Sequence, residues 1–233
     1  MAMQSAVVLA SRGRPENVIR LVEACRKTEF RSDIWVIIDE DDWERKAYER
    51  NANQYDYGYL VVENYSGGSG KALDIGAELL LDDDLYDHYE YFAVLSDDMM
   101  PRTLFWDYIM MLNIPYGKNA VVYGNDKLQG QNLPTACMVS RSIPEALGSF
   151  GLPGVIHLYS DNFIKKLGED INGLVYKEDV IIEHMHPYAG KAELDEGYKR
   201  VNDEKIYLHD EKVYRDYIES DHYKALVEHL RNP

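Results

Sequence analysis

A chain of 233 residues, 45% hydrophobic and 12% aromatic, is long and apolar enough to bury a substantial core, which excludes intrinsic disorder. Its 41 acidic against 25 basic side chains leave a formal charge of −16, the wrong sign for holding nucleic acid by general phosphate attraction. The two cysteines, Cys25 and Cys137, lie far apart without metal-ligand spacing, so neither a zinc cluster nor a disulfide framework is indicated and both thiols read as buried small hydrophobes.

Met1-Ala2-Met3-Gln4-Ser5 lacks the basic and apolar regions of a leader, and no segment approaches the roughly 20 apolar residues of a membrane span, so a soluble, cytoplasmic protein is expected. Ala6 to Ala10 forms a short apolar strand. Ser11-Arg12-Gly13-Arg14-Pro15 turns it into a helix carrying Val18, Leu21, Val22 and Cys25 at helical spacing. Such a turn either receives an anion on its backbone N–H groups and arginines or is a solvated loop whose arginines pair with acids. Asp33 to Asp39 is a second buried strand, ending in the run Asp39-Glu40-Asp41-Asp42. A third, Tyr59 to Glu63, is followed by Ser66-Gly67-Gly68-Ser69-Gly70-Lys71 and a helix from Ala72 to Leu80. That turn lacks P-loop spacing, since alanine follows Lys71, and an ATPase of that kind is rejected.

The fourth strand begins at Tyr91 and ends in Ser96-Asp97-Asp98. Three βα units and a strand make a Rossmann-type half-sheet whose ligands bind at the carboxyl edge. Two adjacent carboxylates there suit a hard divalent cation such as Mg²⁺ or Mn²⁺, or else they cap a helix beginning near Pro101. Beyond this point a helix is expected from Arg102 to Leu112, then strands at Ala120 to Gly124 and Ala136 to Ser140 as an antiparallel addition, with a polar connection from Asn125 to Pro134. Gly148 to Gly154 reads as a loop, Tyr159-Ser160-Asp161-Asn162 opens a helix, and Val180 to His186 is a strand that points His184 and His186 to one face. The charged, tyrosine-rich remainder has helix-like runs at Tyr198 to Val201 and Tyr214 to Leu230. Acidic runs such as Leu81 to Leu85 read as solvated surface.

The order of these features resembles a GT-A fold glycosyltransferase, in particular the small family-2-like enzymes, some of them encoded by bacteriophages. The resemblance runs from about Ala6 to Tyr188, with one departure: Ser96 replaces the first acid of the usual Asp-x-Asp. It implies an α/β protein with a GT-A (Rossmann-like) mixed β-sheet flanked by helices over residues 1–190, and a helical C-terminal extension over 191–233 packed on it. It also implies a nucleotide-sugar donor, with UDP favoured, and Mn²⁺ or Mg²⁺. Ser11, Arg12 and Arg14 would lie at the nucleotide pocket, Asp39 or Asp41 on the base or ribose, and Lys71 near the ribose or diphosphate. Asp98 would bind the metal, Asp97 would hold the ribose or a metal-bound water, and His184 or His186 would complete the metal shell or touch the diphosphate. A histidine ligand favours Mn²⁺.

Asp161 is the candidate general base of an inverting displacement, the alternative being that it merely caps its helix. The acceptor implied is a hydroxyl on a sugar, lipid-linked sugar or protein, or on a hydroxymethylated pyrimidine in DNA. A DNA acceptor would use the aromatic segment Tyr188 to Tyr223 for stacking and would require Lys165, Lys166, Lys191, Lys199 and Arg200 to cluster. Two rivals stand beside this reading. A sugar-phosphate nucleotidyltransferase shares the half-sheet but has a longer glycine-rich signature than Ser11 to Pro15, and a non-catalytic nucleotide- or glycan-binding module would account for Ser96.

Overall fold

The computed structural model describes residues 5–65, 68–82, 88–193, 196–201 and 203–232. Ser66 and Gly67 of the glycine-rich turn and Asp83 to Leu85 of the acidic run lie outside them. Strands and helices alternate as β1 (Ser5–Ser11), α1 (Pro15–Lys27), β2 (Asp33–Asp39), α2 (Arg45–Tyr55), β3 (Gly58–Val62), α3 (Ser69–Leu80) and β4 (Tyr91–Val94). The chain continues through β5 (Met99–Pro101), α4 (Trp106–Leu112), β6 (Val121–Asn125), β7 (Cys137–Ser140), α5 (Ser142–Leu147), α6 (Ser160–Asp170) and β8 (Leu174–His184). Three helices follow: α7 (Glu196–Val201), α8 (Glu204–Glu219) and α9 (Asp221–Arg231).

The sheet order is β3-β2-β1-β4-β7-β6-β8-β5. Strands β1 to β4 are mutually parallel, β7 runs against both β4 and β6, β6 and β8 are parallel, and β5 runs against β8. The carboxyl ends of β1, β2, β3, β4, β6 and β8 therefore share one edge. Strand residues alternate between two cores. Ala6, Val8, Ile37, Phe92 and Val139 pack with α3, α5, α6 and α9, whereas Val7, Leu9, Val36, Ala93 and Met138 pack with α1, α2 and α4. Burying each such large side chain is worth about 1.5–3 kcal/mol, and helices on both faces are what a nearly continuous apolar strand requires.

The expected half-sheet, the antiparallel addition and the buried free cysteines are all present. Pro101 does not open a helix: Met99–Pro101 pairs antiparallel with Ile182–His184, and α4 begins only at Trp106. A proline with no N–H to give is tolerated in so short a strand. The caps reading of Asp97 and Asp98 falls with it. Strand β8 begins at Leu174, earlier than expected, and is irregular between its pairings with Gly124 and Asn125. Such a bulge defeats a strict two-residue alternation. The single C-terminal run is two helices because Ser220 interrupts it, its Oγ accepting from the Tyr223 N–H at 3.0 Å.

Candidate active site

The carboxyl edge gathers side chains distant in sequence. Buried Asp97 and Asp98 follow β4, but they face different partners. Asp97 Oδ2 accepts from Ser11 Oγ at 2.6 Å, while its Oδ1 lies 3.6 Å from Arg14 Nη1 and 3.4 Å from Asn17 Nδ2. Ser11 Oγ is also 2.8 Å from Tyr48 Oη, which accepts from the Arg14 N–H, so the first turn is locked to the acid. Burial and the neighbouring Asp98 push Asp97 up to about 6 against these donors.

Asp98 is the more heavily bonded acid. Ser96 Oγ donates to Oδ1 at 2.5 Å, Tyr198 Oη donates to Oδ2 at 2.5 Å, and His184 Nε2 stands 3.2 Å from Oδ2. Burial opposes its charge, but the histidine and the two hydroxyls outweigh it and hold Asp98 well below the usual carboxylate range. A serine in place of the first acid thus supplies a hydrogen bond where a third carboxylate would add repulsion.

His184 Nδ1 faces Asp126 Oδ2 at 3.8 Å. Asp126 accepts on Oδ1 from the N–H groups of Leu128, Gln129 and Gly130 at 2.7–2.9 Å and on Oδ2 from Thr135 Oγ1 at 2.8 Å. Burial lowers the His184 imidazole, but the two carboxylates overcome it and bring it to about 9. Asp161 stands near His184 and Asp126, in the first turn of α6, with its carboxylate taking no hydrogen bond among the described residues. Burial, reinforced by Asp126, pushes it up to about 6 against the pull of His184. It does not cap α6, where the preceding position is held by Tyr159 at φ 68° without a side-chain bond.

At the β1 and β2 ends, Arg12 Nη1 donates to Asp39 Oδ2 at 2.7 Å and also to Asp41. Fully buried Asn64 donates to Asp39 Oδ1 at 2.9 Å, so both oxygens of Asp39 are engaged. Gly13 donates to Asp42 and lies against the exposed Trp43 ring, and its φ of +69° is a conformation that favours glycine. A Cβ on Gly70 would come within 2.0 Å of the Val155 carbonyl, and the Gly70 N–H donates to the Ile156 carbonyl at 3.0 Å. This glycine serves close packing of α3 on the loop at 155–157 and does not leave a free anion cradle. Lys71 is exposed beside it, without a partner among the described residues.

His186 lies just past β8, its ring 5.0 Å from that of His184 and its Nδ1 accepting from the Tyr188 N–H at 3.2 Å. Ser11, Arg14, Asp97, Asp98, His184 and His186 are thus joined by direct contacts, and Tyr198 completes the group. Arg12, Asp39 and Asp41 form a second group on the adjoining turn. Sequence reasoning missed Asp126, Tyr48, Asn64 and Tyr198. Asp126 had a signal, an acid just past an apolar strand, whereas Tyr198 carried none. Among the described residues no group of three or more His, Cys, Asp or Glu side chains is arranged to hold a metal ion. The pair Asp98 and His184 nonetheless suits one: a histidine whose Nδ1 side faces a carboxylate presents Nε2 as donor, here beside a carboxylate oxygen.

No family model and no curated protein matches the sequence. Solved structures do match. Glucosyl-3-phosphoglycerate synthase from Mycobacterium tuberculosis, in complex with Mn²⁺, UDP and glucosyl-3-phosphoglycerate, aligns at TM-score 0.54 with 10% identity over 81% of this chain and 75% of its own. A protein assigned as a nucleotide-diphospho-sugar transferase from Desulfovibrio desulfuricans aligns at 0.51 with 8% identity, covering 92% and 98%. One assigned as a glucose-1-phosphate thymidylyltransferase from Bacillus anthracis aligns at 0.52 with 9% identity, covering 85% and 99%. The chain has the GT-A, Rossmann-like fold of nucleotide-sugar transferases. At such identities the likeness is one of fold, and it spans two reactions.

Proposed function

We propose that this protein is a metal-dependent glycosyltransferase that moves a sugar, from a UDP-sugar by preference, to an acceptor hydroxyl with inversion. The observation that carries this reading is Asp98 Oδ2 standing 3.2 Å from His184 Nε2 at the carboxyl edge of a GT-A sheet, with the unbonded carboxylate of Asp161 beside them. The M. tuberculosis neighbour, of the same fold, was solved with Mn²⁺ and UDP.

Asp98 and His184 would hold the cation, with His186 beside them to complete its shell or meet the diphosphate; bound there, Mn²⁺ or Mg²⁺ supplies positive charge opposite the growing charge on the leaving diphosphate. Asp97 fixes the first turn through Ser11, which places the Arg14 guanidinium toward the phosphates. Asp39, held by Arg12 and Asn64, forms with Asp41 the wall for the base or ribose. Lys71, exposed in the first turn of α3, would approach the ribose or diphosphate. Asp161, being half-neutral near pH 6 and free of internal donors, takes the proton of the attacking hydroxyl. A sugar hydroxyl is favoured over a DNA base: of the five cations that a DNA acceptor would need, Lys165, Lys166 and Lys191 already pair with Glu169, Asp170 and Glu183.

Calorimetric titration with UDP, GDP and other nucleoside diphosphates, with and without Mn²⁺, tests the proposal. Metal-dependent binding of one nucleotide, lost in Asp98→Asn, is expected; no binding of any nucleotide, by wild type or by Tyr198→Ala, sinks it. Release of pyrophosphate in place of nucleoside diphosphate would instead establish the nucleotidyltransferase.

A further inference from the structure

One side chain outside the sequence-nominated set touches three members of it. The Tyr198 hydroxyl donates to Asp98 Oδ2 at 2.5 Å, the oxygen that also faces His184. The Arg14 guanidinium lies over the Tyr198 ring, 4.3 Å from its centroid, and the His186 ring packs edge-on against it at 5.2 Å. Tyr198 is 8% exposed although it stands on α7, a helix of six residues. So short a helix has little stability of its own, and its placement rests on contacts such as this one.

These contacts are of the kind a ligand would need. Asp98 Oδ2 is the oxygen that faces His184, Oδ1 being taken by Ser96, and Arg14 is the cation of the first turn nearest Asp97. A phenol bonded to the one and stacked under the other occupies the ground on which a cation and a diphosphate would be held. We propose that α7 is an internal plug: Tyr198 occupies the site in the free protein, and a divalent cation with a nucleoside diphosphate binds only as Tyr198 withdraws, releasing Asp98 Oδ2 and Arg14 together. The inference rests on the proposed donor site and concerns its regulation. Its energetic consequence is that apparent affinity is reduced by the fraction of molecules in which the plug is seated.

The test compares wild type, Tyr198→Phe and Tyr198→Ala, with Mn²⁺ binding followed by loss of the free-ion paramagnetic signal and UDP binding by calorimetry at fixed Mn²⁺. Removing a charge-assisted hydrogen bond that competes with the ligand should tighten Mn²⁺ and UDP binding by roughly tenfold in Tyr198→Phe. The alanine variant, which also frees Arg14, should gain at least as much for UDP. Thermal melting of the free variants shows that they remain folded. Wild-type binding of UDP with unchanged or weaker binding in both variants overturns the plug and leaves the donor site standing. Binding seen only in the variants supports the plug, and no binding by any of the three folded proteins removes the plug and the donor site alike.

Discussion

Asp161 illustrates how a single residue sets both rate and stability. Its carboxylate is raised from the ordinary 3.8 to about 6, because burial and Asp126 disfavour the charge. As a base it acts only when ionised, so turnover should climb with pH through about 6 and level off above it; Asp161→Asn should lose this rise and about 10²–10⁴-fold in rate. The stability sign follows from the same shift. The folded state binds the proton more tightly than the unfolded one, so stability falls as pH rises from about 4 to 6, by on the order of 2 kcal/mol, and stays reduced above. Asp161→Asn should therefore melt higher than wild type at pH 7.5 and match it at pH 4. A lower melting temperature at pH 7.5 would mean the charge is stabilised in ways the fold does not show. Asp161, in the first turn of a helix, was nominated only through the resemblance, whereas Asp98 and the two histidines were visible in the sequence as candidates because they end apolar runs. Tyr198 and Asn64 were not, since a tyrosine in a polar helix and an asparagine beyond a strand have no local pattern that tells which distant side chain they meet.

The elements that position these residues are held by buried polar clamps as much as by apolar packing. Fully buried Asp210 of α8 accepts from the N–H groups of Ile156, His157 and Leu158 at 2.8–2.9 Å, and the same loop meets α3 through Gly70 and through Ser69 Oγ, 2.8 Å from His157 Nδ1. Asp210→Ala would strand three donors in a buried place, at a cost of about 2–4 kcal/mol. The urea midpoint should fall accordingly; an unchanged midpoint would show that water replaces the carboxylate freely. Strong apolar runs made β1, β2, β4 and α1 readable from sequence. Helix α2 is weakly patterned, burying only Tyr48, Asn51 and Ala52, and no apolar stripe placed its ends. Strand β5 was hidden by Pro101, because its pairing with β8 is a long-range fact and the proline a local signal for a helix start.

At the scale of the whole molecule, the charge of −16 decides what the surface can do. Among the described residues no helix is long and apolar enough to cross a membrane. Exposed pairs such as Lys212 with Asp216, Arg215 with Glu211 and Lys224 with Asp221 each contribute little, at most about 1 kcal/mol, and salt weakens them. Net self-repulsion is also screened by salt, and with sixteen uncompensated negative charges its relief should exceed the loss of those pairs. Raising sodium chloride from about 0.01 to 0.3 M shortens the screening length from about 30 to about 6 Å and should raise the melting temperature at pH 7.5. The same surface should retain no duplex DNA in a mobility-shift assay even at the lower salt, because a formal charge of −16 repels the phosphates and leaves few counterions to be released. A melting temperature that falls with salt, together with DNA retained at low salt and lost at high, would reveal a local basic surface strong enough to override the net charge, and would return a DNA hydroxyl to first place among acceptors.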